Sequence, residues 1–171
     1  DVNGYRQEGF GAFDRNIHRG RRLSAARAYL HPVRHRKNLT LRTRTLVTAV
    51  VFDGRRAIAV DIERRGGGTE RIEGGEIILA GGAINTPQLL QLSGVGRAVD
   101  LGALRIPVVA DLPGVGDHLQ DHLEVYIQYT SLQPVSMQPS ATQAWRRPFI
   151  GAQWLFLRSG PGATNHFEGG G

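Results

Sequence analysis

Alternating and continuous apolar stretches along the chain predict several β-strands. Residues 38–52 (NLTLRTRTLVTAVVF) alternate in LTLRT and then pass into a β-branched run, which predicts two successive strands. Asp53–Gly54 supplies a two-residue turn, and residues 57–62 continue as the next strand. Residues 76–80 (EIILA) form a short apolar strand, and the alternation of residues 123–130 (LEVYIQYT) predicts a half-buried one.

Helical segments are interleaved with these strands. Residues 23–30 are rich in Ala and Leu and predict a short helix that ends at His31–Pro32. Thr86–Pro87 places a capping residue before a proline, which predicts a helix over residues 88–92 that stops at Ser93–Gly94. The order of strand, glycine turn and helix is typical of chains that mix helix with sheet.

Two more helices and three loops complete the predicted order. Residues 98–104 predict a short helix, and residues 144–157 predict an amphipathic one in which Trp154 belongs to the core. Between them, VVADL (108–112) predicts an edge-like segment. Loops are predicted at residues 1–20, at the glycine tip 66–68 and at residues 113–116.

Composition narrows the class of protein. With 171 residues and 40% hydrophobic positions, the chain suits one globular domain or a piece of a longer protein. Its lack of an initiating Met and its terminal run of glycines lead us to expect a piece cut from the middle. The absence of cysteine excludes disulfides, thiolate metal sites and cysteine nucleophiles. No secretory signal and no apolar run of about 20 residues is present, so we expect a soluble, cytoplasmic protein.

Charge is unevenly distributed along the chain. Residues 1–71 carry 16 basic and 7 acidic side chains, and residues 72–171 carry 5 and 8. The basic half leaves a nucleic-acid-binding module as an alternative. However, 20 of the 21 cations are Arg and the arginine pairs fall in separate turns, which favours solvated or interface arginines over one phosphate-binding face.

The glycine turn at residues 81–83 is a candidate binding element. Glycines let a ligand approach the backbone closely, and the N–H groups at a helix start suit an anion such as pyrophosphate. An ordinary strand-to-helix turn remains the alternative, because neither a complete G-x-G-x-x-G fingerprint nor a P-loop occurs in the chain.

Longer strings identify a family. Residues 82–96 (GAINTPQLLQLSGVG) resemble the second signature of the glucose-methanol-choline (GMC) flavoprotein oxidoreductases, and residues 112–122 (LPGVGDHLQDH) resemble that family's next landmark. Residues 38–52 are similar to the family strand beside the flavin's adenine. Along its whole length, the chain resembles the choline-oxidising members of this family. The strings that carry this resemblance are NGYRQEGFG (3–11), GRRLSAARAYL (20–30), DHLEVYIQY (121–129) and NHFEGG (165–170).

The resemblance implies cofactor-binding residues. Val47 matches a position whose backbone contacts the adenine ring of FAD, although a plain core strand residue would also be apolar there. Ala80, Gly81 and Gly82 match the turn against the FAD dinucleotide.

Two other positions match substrate-binding residues of the family. Glu124 matches a carboxylate that faces the trimethylammonium group of choline, although an acidic residue in an alternating strand is more often solvent-facing. Trp145 matches an aromatic position of the same headgroup site.

The histidines form no convincing metal-ligand set, so no metal is expected. The resemblance implies that Asp121 and His122 fix a loop near the flavin, and His166 is a substrate-side candidate. His118 departs from the family pattern, which often has Asn at that position.

The resemblance also implies an architecture and an activity. The fold is expected to be α/β, with residues 1–115 mainly in an FAD-binding domain and residues 116–171 mainly in an antiparallel-sheet substrate domain. The implied activity is oxidation of choline to betaine aldehyde, with a neutral alcohol as the alternative substrate. The catalytic His is expected outside the chain, so no catalytic residue is nominated within it. We expect the isolated chain to bind FAD poorly. The electron acceptor, the oligomeric state and membrane association of the whole protein stay open.

Overall fold

The structure is a computed structural model that describes residues 4–6, 8–133, 143–165 and 169–170. The chain divides into two compact units. The first unit combines Asp1–Thr40 with Tyr126–Gly171, and the second is the continuous stretch Leu41–Val125. The predicted mixture of helix and strand is confirmed.

The secondary structure consists of short strands, one three-stranded sheet and helices of one to three turns. The strands are β1 (Gly11–Ala12), β2 (Ile17–His18), β3 (Arg21–Arg22), β4 (Thr45–Asp53), β5 (Arg56–Arg64), β6 (Thr69–Glu73), β7 (Val95–Gly96), β8 (Ala110–Asp111) and β9 (Gly169–Gly170). The α-helices are α1 (His31–Val33), α2 (Gly82–Leu92), α3 (Ala98–Ala103) and α4 (Arg147–Leu157). A π-helical turn (Ala26–Leu30) precedes α1, a 3₁₀ turn (Ala144–Arg146) precedes α4, and another (Pro161–Ala163) follows it.

An antiparallel sheet in the order β4–β5–β6 organises the unit Leu41–Val125. The predicted turn after Asp53 is confirmed, since Asp53 pairs with Arg56 and Gly54 has φ +56°. The glycine tip 66–68 joins β5 to β6, and all three glycines have positive φ. Strand β4 begins at Thr45, so the strand predicted from residue 38 is wrong in its first part.

The rest of this unit consists of two helices and a pair of two-residue strands. Helix α2 ends at Ser93, as predicted. Strands β7 and β8 pair in parallel, and α3 lies between them in the sequence. The predicted helix near residues 98–104 is confirmed as α3, and the edge-like VVADL segment contains β8. The buried apolar side chains of the described residues all belong to this unit: Val50, Ala59, Ile62, Val95 and Leu101.

The other unit contains two strand pairs of two residues each. Strand β1 pairs with β9, so Gly11 lies opposite Gly170 and the two chain segments are joined, whereas β2 pairs with β3 inside the first segment. The predicted amphipathic helix near the carboxyl end is confirmed as the 3₁₀ turn followed by α4. Trp154, predicted in the core, is partly buried, and its Nε1 donates a hydrogen bond to the Gly20 carbonyl oxygen at 2.8 Å.

Two predicted strands are absent from the described part of the chain. Residues 76–80 and 123–130 have no ladder hydrogen bonds, and the side chains of Leu123, Val125 and Ile127 are largely exposed. A strand requires a pairing partner as well as a suitable pattern, and the described residues supply none for either segment.

Two predicted helix boundaries are also wrong. The chain stays helical through Pro32 to Val33, because Pro32 lies in the first turn of α1, where its fixed φ is helical and its missing N–H is tolerated. Helix α2 begins at Gly82, ahead of Thr86–Pro87. Thr86 nevertheless acts as a cap from inside the helix, since its Oγ1 accepts a hydrogen bond from the Gly81 N–H at 3.0 Å.

None of the helices in the described ranges is long and apolar enough to cross a bilayer.

Candidate functional site

A groove of about 810 Å³ opens in the unit Leu41–Val125. One wall is the start of β4, a second is residues 76–81, and a third is helix α2. Its lining is mainly apolar and includes Leu46, Val47, Ile77, Leu79, Leu89 and Leu92. A cleft of this size with apolar walls suits a large flat organic group.

A β-bulge in β4 gives Val47 its place in the groove. Val47 pairs with Ile62 and Ala49 pairs with Asp61, so Thr48 is the extra residue between them. The Thr48 hydroxyl donates a hydrogen bond to the Asp61 carbonyl oxygen at 3.2 Å, which fixes the bulge. Bulges change the direction in which neighbouring side chains point. The Val47 side chain stays 37% exposed, beside the groove, while Ile62 is buried.

The glycine turn forms the opposite side of the groove, where Ala80 and Gly81 line it directly. A Cβ added to Gly81 would lie 3.2 Å from the Asn85 Cβ and 3.3 Å from the Thr86 Oγ1, so the helix start crowds this position. Gly82 requires glycine for a different reason, because its φ is +87°. Nothing lies within 4 Å of a Cβ added there, so the space beside the Gly82 backbone is open to a ligand.

Ser93 ties two walls of the groove together. Its Oγ accepts a hydrogen bond from the Val50 N–H of β4 at 2.8 Å and donates one to the Leu89 carbonyl oxygen of α2 at 2.6 Å. The sequence predicted Ser93 only as a helix stop. A serine at a helix end can bond back to the carbonyl four residues earlier, which is the signal that could have identified it.

The resolved pKa shifts belong to ion pairs on β5 and β6. Arg71 donates from Nε and Nη2 to the two carboxylate oxygens of Asp61 at 2.8 and 3.0 Å, which lowers the pKa of Asp61 and raises the pKa of Arg71. Arg42, which bonds Glu70 at 2.7 Å, lowers the pKa of Glu70, and Arg64 contributes to the same shift. Three of the arginines that suggested nucleic-acid binding are therefore paired with carboxylates.

The predicted substrate residues lie in different units. Glu124 is exposed near the end of the unit Leu41–Val125. Trp145 belongs to the other unit and is 64% exposed. The Arg146 guanidinium carbon lies 5.0 Å from the Trp145 ring centroid, and Phe149 meets the ring edge to face at 6.4 Å. A ring face in this position is suited to a cation.

The histidine segment is a turn with local hydrogen bonds. The His122 N–H donates to Asp121 Oδ1 at 2.8 Å, which is compatible with a role in fixing the loop. His118 has φ +60°, a conformation that Asn and His adopt more readily than most residues, which explains why His can replace Asn there. His166 lies outside the described residues. No cluster of three or more candidate metal ligands occurs among the residues that are described.

Together, the open glycine turn and the apolar groove define a site of the kind that binds a large cofactor. A model of the GMC oxidoreductase family matches residues 1–124, which is more than half of the chain. The chain belongs to the GMC oxidoreductase family.

Individual relatives agree with this assignment. The chain is 57% identical over 170 residues to the oxygen-dependent choline dehydrogenase of Staphylococcus haemolyticus, a match that covers 99% of the chain and 30% of that protein. An FAD-dependent oxidoreductase from Chaetomium thermophilum has a TM-score of 0.83 and 30% identity, over 95% of the chain and 29% of the neighbour. Pyridoxine 4-oxidase from "Mesorbium loti" has a TM-score of 0.57 and 34% identity, over 61% of the chain and 21% of the neighbour. The chain thus spans about 30% of the length of the curated relatives it matches.

Proposed function

We propose that the protein containing this chain is an FAD-dependent choline dehydrogenase that oxidises choline to betaine aldehyde. The 57% identity to oxygen-dependent choline dehydrogenases over nearly the whole chain supports this activity. The observation that carries the proposal in the structure is the groove, because it brings Val47 together with Ala80 and Gly81. Val47 lies more than 30 positions before Ala80 and Gly81 in the sequence, and all three were predicted to contact the cofactor.

The residues present fit FAD. The Val47 backbone, at the edge of the groove, would contact the adenine, and the open space beside the Gly82 backbone suits the close approach of a dinucleotide. FAD would accept the hydride that leaves the alcohol carbon. The chain's contribution to this chemistry is to bind and orient, with Ser93 holding β4 and α2 at a fixed separation.

For the substrate, we propose that Glu124 and Trp145 recognise the quaternary ammonium group of choline. This cation has no proton to lose or donate, so it is bound by Coulomb attraction and by aromatic faces. The cation–π contact between Arg146 and Trp145 supports the idea that this ring can receive a positive charge. The hydroxyl proton would be taken by a histidine outside this chain. The name of the relatives favours dioxygen as electron acceptor.

The deciding experiment uses the natural-length protein that contains this chain. Replacing Glu124 with Gln keeps the shape and removes the charge, so kcat/KM for choline is expected to fall by about 10- to 100-fold, which corresponds to one lost partly screened charge contact. Activity on a neutral alcohol should be nearly unchanged. Flavin absorbance per protein should also be unchanged, which separates substrate recognition from cofactor loss.

Two outcomes would contradict the proposal. Equal losses on choline and on the neutral alcohol would favour a neutral-alcohol oxidoreductase, a second candidate that the similarity to pyridoxine 4-oxidase supports. A purified protein that carries no flavin would reject the cofactor assignment. As a matched pair for the cofactor, Gly82→Ala should lower flavin content because of its positive φ and the methyl group placed in the open space, whereas Gly102→Ala should not.

A further inference from the structure

A second cleft, of about 460 Å³, lies in the unit formed by Asp1–Thr40 and Tyr126–Gly171, and its lining is strongly basic. Two histidines and a leucine complete the lining, and none of the lining residues is acidic. Five arginines line it: Arg19, Arg21, Arg22, Arg27 and Arg158. Guanidinium groups stay charged at all working pH values, so this cleft is a concentration of fixed positive charge.

The fold holds this charge in place through contacts between distant segments. The Trp154 Nε1 donates to the Gly20 carbonyl oxygen at 2.8 Å, and the backbone of Gly20, with φ +69°, packs directly against that of Arg158. A Cβ at Gly20 would clash with the Arg158 carbonyl. The guanidinium carbon of Arg158 lies 4.4 Å from the Trp154 ring centroid, which places this cation beside the β2–β3 hairpin.

No acidic residue lines the cleft to balance its positive charge. The ion pairs of Arg42, Arg64, Arg71 and Arg97 with carboxylates do not involve any arginine of the cleft. The Nη1 of Arg158 is buried and has no hydrogen-bond partner among the described residues. A buried charged donor without an acceptor is destabilising, and an anion bound in the cleft would offset this charge and the repulsion between the cations.

We propose that this cleft binds a phosphate-type oxyanion, with Arg158 and the hairpin arginines as its donors. The planar guanidinium matches the geometry of phosphate oxygens and binds them in pairs. The group could come from free phosphate or from the headgroup of an anionic lipid, since both present the same oxygens. The cleft shares no lining residue with the cofactor groove, and this proposal does not depend on the choline dehydrogenase proposal.

The test uses the natural-length protein at low salt with two probes, inorganic phosphate and vesicles of phosphatidylglycerol. Saturable binding of either probe is expected, and the probe that binds identifies the source of the phosphate group. Arg158→Gln should weaken that binding at least about tenfold, since it removes one charge-assisted hydrogen bond. Arg22→Gln, on the exposed hairpin strand, provides a second variant if the Arg158 variant does not fold.

The control is Arg56→Gln, which removes an exposed arginine of the other unit and should leave binding unchanged. Vesicles of phosphatidylcholine should not bind. The proposal is overturned if neither probe binds, or if both Arg158→Gln and Arg22→Gln bind the probes as tightly as Arg56→Gln does.

Discussion

The two units of the chain are stabilised in different ways. The unit Leu41–Val125 contains every buried side chain of the described residues, and a serine hydroxyl joins its sheet to a helix. The unit formed by Asp1–Thr40 and Tyr126–Gly171 relies on two-residue strand pairs and on the contact between Trp154 and Gly20. Its apolar side chains, such as Phe149 and Phe156, are mostly exposed. We therefore expect the unit Leu41–Val125 to be the more resistant to unfolding.

The largest effect is expected from truncating the core of that unit. Leu101 in α3 is 2% exposed, and Leu104 just after the helix is 71% exposed, so the two form a matched pair. Leu101→Ala should lower the free energy of unfolding by about 2–5 kcal/mol, because it leaves a cavity. Leu104→Ala should change it by less than about 1 kcal/mol. Denaturant unfolding measures both, and similar losses would show that Leu101 is not in a packed core.

A smaller loss is expected at the turn after α2. Gly94 has φ +87°, and a Cβ there would meet the Pro107 carbonyl oxygen and the Val109 side chain. Gly94→Ala should therefore destabilise the unit by about 2 kcal/mol or more through strain and crowding. Gly102→Ala, in α3 with nothing within 4 Å, should stabilise it by roughly 0.5–1 kcal/mol. If both substitutions changed the free energy of unfolding in the same direction, the close approach at Gly94 would be refuted.

In the unit formed by Asp1–Thr40 and Tyr126–Gly171, the hydrogen bond from Trp154 to Gly20 joins the two chain segments and can be tested by substitution. Trp154→Phe removes the indole N–H and leaves the Gly20 carbonyl oxygen without that donor, with an expected cost of about 1–2 kcal/mol. Hydrogen exchange should accelerate in residues around Gly20 and leave the β4–β5–β6 sheet unchanged. Trp145→Phe, at an exposed ring, is the control and should not change exchange near Gly20.

The smallest effect is expected from acid. Arg71 and Arg42 hold the pKa values of Asp61 and Glu70 below those of free carboxyl groups. The stability gained from these pairs is therefore complete above the ordinary carboxyl pKa and is lost as the pH falls through the lowered values. The decline should be shallow, since exposed pairs contribute little. In a variant carrying Asp61→Asn and Glu70→Gln, this part of the decline in stability below pH 5 should be absent. An unchanged decline would show that these two carboxylates do not cause it.

Local signals predicted the parts of the fold that local contacts determine. The turn at Asp53–Gly54 and the end of α2 at Ser93 depend on residues close in sequence, and both predictions are confirmed. The strand predicted for residues 76–80 required a partner strand, which no pattern within that segment can specify. The start of α2 was missed because Thr86 caps the helix from within its first turns rather than from the position before it.

The candidate site was predictable to a similar extent. The family resemblance implied four cofactor-binding residues. Val47, Ala80 and Gly81 line one groove, whereas Gly82 is not among its lining residues. The bulge at Thr48 and the bridge through Ser93 join residues far apart in the sequence, and no periodicity reveals such bonds. The basic cleft was missed for the same reason, since Arg158 is separated from the β2–β3 hairpin by most of the chain.

The glycine tip 66–68 has a practical consequence. A side chain added at any of its three positions would have no atom within 4 Å, and the tip joins strands β5 and β6, which pair from Ala59 opposite Glu73 to Glu63 opposite Thr69. Lengthening such a loop costs only a little entropy. An affinity tag or a fluorescent label inserted there would give a handle for immobilising the protein and following it without disturbing the groove.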